Sequence, residues 1–77
     1  QALRLGPKYV FAYNNRGNAY RGLGEHRRAI EDYDEAVRLD PKYAKAYQNR
    51  GIAYRELGNR SQADTDFKKA KELRGEA

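Results

Sequence analysis

The 77-residue chain contains no cysteine, no tryptophan and no methionine. The missing cysteine excludes a disulfide staple, a thiolate metal site and a cysteine nucleophile. Histidine, serine and threonine occur once each, as His26, Ser61 and Thr65. Neither hydroxyl has a histidine set beside it, so nucleophilic catalysis has almost nothing to stand on. No apolar run approaches the ~20 residues that a bilayer-crossing helix needs. No leader pattern opens the chain. It begins at Gln1 rather than Met and reads as a segment cut from a longer protein, with a cytoplasmic location expected.

What the chain does have is charge, tyrosine and repetition. Sixteen Lys and Arg face eleven Asp and Glu, for a formal net charge of +5. That balance favours acidic partners. The acids and bases are interleaved, so most of them read as the solvated surface of a helical protein. The length allows one small domain.

The ten letters NRGNAYRGLG at 15–24 return as NRGIAYRELG at 49–58. Laying 10–43 over 44–77 without a gap gives fourteen identical pairs among thirty-four. They include Tyr13/Tyr47, Arg16/Arg50, Gly17/Gly51, Tyr20/Tyr54, Gly24/Gly58, Ala29/Ala63, Asp32/Asp66, Ala36/Ala70 and Leu39/Leu73. Upstream, Ala2, Leu5, Pro7, Lys8 and Tyr9 stand thirty-four residues before Ala36, Leu39, Pro41, Lys42 and Tyr43. The chain thus divides into 1–9, the tail of a preceding repeat, and two full repeats at 10–43 and 44–77.

Within each repeat the spacing is helical. Tyr13, Gly17, Tyr20 and Leu23 recur at steps of three and four, as do Ala29, Tyr33, Ala36 and Leu39. Gly24 and Gly58 supply left-handed caps, and Asp40-Pro41 stops the second helix. Helices are expected at 10–22, 26–39, 44–56 and 60–74. Gly17 and Gly51 lie mid-helix, at a cost of ~1 kcal/mol relative to Ala. Close approach of a partner helix explains them, with Ala29 and Ala63 as the facing residues.

These positions resemble the tetratricopeptide repeat, whose period is thirty-four residues. Its series of aromatic, small, aromatic, Gly, Ala, aromatic, Ala and Pro matches Tyr13, Gly17, Tyr20, Gly24, Ala29, Tyr33, Ala36 and Pro41. The second repeat matches through Tyr47, Gly51, Tyr54, Gly58, Ala63, Phe67 and Ala70, with Gly75 in place of the closing Pro. The resemblance implies an all-α fold of antiparallel helix-turn-helix repeats, stacked as a short right-handed α-solenoid. It also implies a binding scaffold rather than an enzyme, holding proteins or peptides on a concave face lined by the first helix of each pair.

In this family the places of Ile30 and Val37 pack on the following repeat. Their counterparts Asp64 and Lys71 are charged, so 60–74 reads as a polar cap that ends the array. Leu3 and Leu5 on the stub are apolar, as in an internal repeat. The stub side of the first helix is expected to expose Val10 and Phe11. That face would be covered by the stub, a second copy or a swapped helix, giving a homo-oligomer.

By the family's geometry the groove residues are Asn14, Asn15, Asn18 and Arg21 in the first repeat, with Phe11 beside them. In the second they are Lys45, Gln48, Asn49, Ile52 and Arg55. Carboxamides can bond both the N–H and C=O of an extended peptide, and the cations can take carboxylates. The family's carboxylate clamp for chaperone tails is incomplete here. In one register Asn18 and Asn49 match but Asn14 replaces a Lys; in the other Asn15 and Lys45 match but Asn49 replaces an Arg. An extended acidic peptide, or one ending in a carboxylate, is the expected partner.

The alternative is a structural, self-assembling scaffold with no specific ligand. Nucleic acid is disfavoured because the groove lacks stacking aromatics, and no membrane contact is expected. No catalytic residue, metal site or cofactor is assigned. Glu31, Asp34 and Glu35 cluster on one helix face, but Arg27, Arg28 and Arg38 lie within helical reach, which reads as ion pairing. Arg16 with Asp32 and Arg50 with Asp66 recur together and read as a structural pair in each repeat. His26 falls in a turn and reads as solvated.

Overall fold

The computed structural model describes residues 6–75, and side chains from residue 8 onward. Among these residues there are four helices and no strand: α1 (Gly6–Gly22), α2 (His26–Leu39), α3 (Ala44–Glu56) and α4 (Arg60–Leu73). α1 packs on α2, α3 on α4, and α2 on α3, while α1 touches α3 more lightly. The fold is all-α, with the helix-pair packing of a repeat solenoid. Leu3 and Leu5 lie outside the described residues.

Three helices start where the repeat pattern places them, but α1 starts four residues earlier, at Gly6. Pro41 sits in the turn that follows α2, whereas its counterpart Pro7 lies in the first turn of α1. A proline has no N–H to donate, and the first turn of a helix does not need one.

The turns repeat as closely as the letters do. Glu25 N–H donates to Tyr20 O at 2.9 Å, and Asn59 N–H donates to Tyr54 O at 2.8 Å. Each bond closes over a glycine with positive φ, Gly24 at 80° and Gly58 at 86°. This is the six-to-one closure that satisfies the last carbonyls of α1 and α3. α2 ends differently. Asp40 is extended, as a residue before proline must be, and its carboxylate accepts from Lys42 N–H at 3.1 Å.

The core is small and made largely of alanine. Ala29, Ala36, Ala46, Ala53 and Ala70 are fully buried, and Tyr33 is the one large side chain with no exposure. The core lies across the repeat boundary. Val10, Ala36 and Ala46 form one cluster, covered by Tyr13, Val37, Leu39 and Tyr43. Ala29, Tyr33 and Ala53 form another, covered by Tyr20 and Ile30. Val10 is therefore not on an open face as expected. It is 3% exposed, because Val10, Asn14 and Gly17 recur at four and three and turn one stripe of α1 inward.

Gly17 also meets a different partner from the expected Ala29. A Cβ there would lie 2.6 Å from Tyr33 Cε1, and a Cβ on Gly51 would lie 2.7 Å from Phe67 Cε1. Glycine is needed because an aromatic edge sits against the helix backbone.

Candidate functional site

Each repeat is locked by an arginine. Arg16 donates from Nε and Nη2 to Asp32 at 2.7 and 2.8 Å, and Arg50 donates from the same atoms to Asp66 at 2.8 Å. Both carboxylates are almost buried, and two parallel bonds satisfy both oxygens of each. The bonded carboxylates in turn hold both guanidinium groups charged, well above their ordinary range. Arg16 stacks near Tyr13 and Tyr20, and Arg50 near Tyr47 and Tyr54. Both pairs are structural, as their recurrence predicts.

The carboxylate cluster on α2 is spent on ion pairs. Glu35 accepts from Arg38 at 2.7 Å, which holds its carboxyl below the ordinary value. Asp34 accepts from Arg50 Nη1 at 2.8 Å.

The nine candidate groove residues fall on α1 and α3. Asn14 is buried at 4%, and its Oδ1 accepts from Asn49 Nδ2 at 3.0 Å. This bond crosses the repeat boundary and fixes both amides. Asn18 Oδ1 accepts the Tyr33 hydroxyl, which leaves its amide N–H groups to donate. Asn15 and Lys45 are exposed, while Gln48 and Ile52 are half-buried. Asn15 and Asn49, although equivalent in sequence, differ in setting, since Asn49 alone has the Asn14 partner.

The cations differ too. Arg55 is exposed, with its guanidinium 5.5 Å over the Phe67 ring. Arg21 is half-buried and bears on the Tyr33 phenol, drawing its pKa down while burial pushes it up more strongly. Phe11 is half exposed and meets Tyr43 edge-on at 5.5 Å.

His26 is not solvated as the turn position suggests. It is half-buried, because its Nδ1 points at Glu56 Oε1 on α3, 3.4 Å away. That separation is long for a hydrogen bond, and Nδ1 makes none. Sequence reasoning missed Asp34 as a partner of Arg50, since its counterpart Lys68 carries the opposite charge.

Among the described residues no helix is long and apolar enough to cross a membrane. Tetratricopeptide repeat models match residues 10–43 and 32–65. Two solved structures are similar to the chain. One, described as the crystal structure of MamA, is 40% identical with a TM-score of 0.83; the match covers 87% of this chain and 39% of that one. A second, described as the crystal structure of MamA protein, is 42% identical with a TM-score of 0.80, covering 84% and 36%. The chain thus spans less than half the length of either structure. A comparison with curated proteins finds no match. Repeat models, helix pairing and the inward-facing signature residues agree: the chain belongs to the tetratricopeptide repeat family, whose non-catalytic helical repeats mediate protein–protein interaction.

Proposed function

We propose that the chain is a binding module, not an enzyme, and that α1 and α3 together hold an extended acidic peptide. The observation that carries this reading is the Asn49–Asn14 bond, which ties one candidate face across two repeats. With Nδ2 engaged, Asn49 keeps Oδ1 and a second N–H for a peptide bond of the ligand. A preorganised amide loses little freedom on binding. Arg21, Lys45 and Arg55 lie at helical spacing from Asn18, Gln48 and Ile52, and Glu56 is the nearby acid. Side-chain or terminal carboxylates of the ligand pair with these cations.

The test is titration of acidic and lysine-substituted versions of one peptide, read by fluorescence anisotropy. The acidic version is expected to bind more tightly and to weaken as salt rises, because exposed charges are screened beyond ~10 Å at 0.1 M. Asn49→Ala is expected to weaken binding roughly five- to tenfold, the worth of about one hydrogen bond. Equal affinity for both peptides removes the acidic preference. Indifference to Asn49→Ala removes the α1–α3 face.

A further inference from the structure

The stripe Tyr43, Ala46, Arg50, Ala53 and Leu57 on α3 recurs on α1 as Tyr9, Ala12, Arg16, Ala19 and Leu23. On α3 it is covered by α2, and Ala46 and Ala53 have no exposure. On α1, Ala12 and Ala19 are exposed, and Leu23 is 72% exposed. The Arg50 side chain is 19% exposed and the Arg16 side chain 60%. Two copies of one surface therefore occur in one chain, one covered and one bare.

The covered copy shows what fits. α2 presents Ile30, Asp34 and Val37 to α3 at steps of four and three. Ile30 packs beside Ala53, Val37 packs beside Ala46, and Asp34 accepts from Arg50 Nη1 at 2.8 Å. Arg16 uses Nε and Nη2 on Asp32, as Arg50 does on Asp66, and Nη1 makes no hydrogen bond among the described residues. A shallow cavity of about 200 Å³, lined by Tyr9, Ala12, Tyr13 and Arg16, lies beside that nitrogen.

We propose that the bare face of α1 docks an amphipathic helix bearing a carboxylate, with an apolar side chain four residues before it and another three residues after. The alanines at Ala12 and Ala19 let such a helix approach closely, and Arg16 Nη1 fixes its register through the carboxylate. A second copy of this chain does not supply that helix head-to-tail. The corresponding positions of α4 are Asp64, Lys68 and Lys71, which sets an ammonium group against Arg16. A face-to-face copy sets Arg16 against its own equivalent.

The probe is a fluorescent peptide of residues 25–40, closed into a helix by a lactam between Arg27→Lys and Glu31, both solvent-facing positions. It is titrated against the whole chain, with anisotropy as the readout. Saturable binding is expected, weakened roughly tenfold or more by Asp34→Lys in the peptide. Ala19→Arg in the chain, which adds bulk at an exposed site, is expected to weaken it as much while leaving the circular dichroism unchanged. An excess of extended acidic peptide is expected not to compete, which separates this face from the α1–α3 groove. The proposal is overturned by no binding, or by binding that survives both substitutions, as when the peptide merely exchanges with α2. It is equally overturned if light scattering shows a dimer that Ala19→Arg dissociates, since the face then belongs to a second copy.

Discussion

Arg50 Nη1 lies 2.8 Å from Asp34 Oδ1, a bond that joins the second repeat to the first. The same guanidinium holds Asp66 inside its own repeat. The two contacts differ in burial and so in worth. The Asp34 side chain is 53% exposed, and the Asp66 side chain 5%. Asp34→Ala is expected to cost less than about 1 kcal/mol, as exposed pairs do. Arg50→Met strands the Asp66 carboxylate and is expected to cost about 3 kcal/mol. A helical core of this size nets only ~3–5 kcal/mol, so the Arg50 variant should be largely unfolded at room temperature by circular dichroism.

Two kinds of glycine substitution should have opposite signs. Gly22→Ala meets nothing within 4 Å and lies in a helix with no positive φ, so it should stabilise by up to ~1 kcal/mol. Gly17→Ala gains the same propensity but drives a methyl into Tyr33, a side chain with no exposure. Overpacking of this kind costs ~1–3 kcal/mol, so a net loss is expected. Urea titration of Gly17→Ala, Tyr33→Leu and the double variant should show favourable coupling between the two sites. Additive effects would remove the steric explanation.

Helix starts offer a third comparison. Asn59 Oδ1 accepts from Gln62 N–H at 3.3 Å and caps α4, whereas Glu25 ahead of α2 makes no side-chain cap bond. Asn59→Ala should lower stability by about 1 kcal/mol, and Glu25→Asn should raise it by a few tenths to about 1 kcal/mol. Thermal melts of the two variants check both directions.

Alkaline pH should unfold the chain in a particular order. Burial raises the pKa of Tyr33, Tyr43 and Tyr54 above the ordinary value of 10.0. In the unfolded chain these phenols ionise near pH 10, while the folded chain holds them neutral to higher pH. Between those two values the unfolded state binds fewer protons, so stability falls as pH rises. Below pH 10 this contribution is fully present. Tyrosinate absorbance should rise in two phases, with the late one coinciding with loss of helix. Tyr33→Phe should reduce the late phase.

The sequence showed most where a feature is written twice. Arg16–Asp32 and Arg50–Asp66 share one separation, so the pair was visible without coordinates. The glycine caps were visible for the same reason. Features that join unlike positions were hidden. Asp34 links to Arg50, but its counterpart is Lys68, so no repetition marks it. Asn14 and Asn49 are thirty-five residues apart, one more than the period, and bond only because α1 and α3 lie side by side. The burial of Val10 was hidden because neither its counterpart Ala44 nor the turn-like Pro7 signals a helix running through it. His26 was misjudged because Glu56 reaches it from another helix.

The Arg50–Asp34 bond also bears on how such a chain can lengthen. Residues 10–43 carry an arginine that receives a carboxylate and an aspartate that supplies one. A tandem insertion of that segment therefore brings both halves of a new joint, and each added unit meets the next with matched charge. Residues 44–77 carry the arginine but place Lys68 where the aspartate belongs. Duplicating that segment opposes lysine to arginine at the seam. Growth by copying is open to one unit and closed to the other, through a single residue.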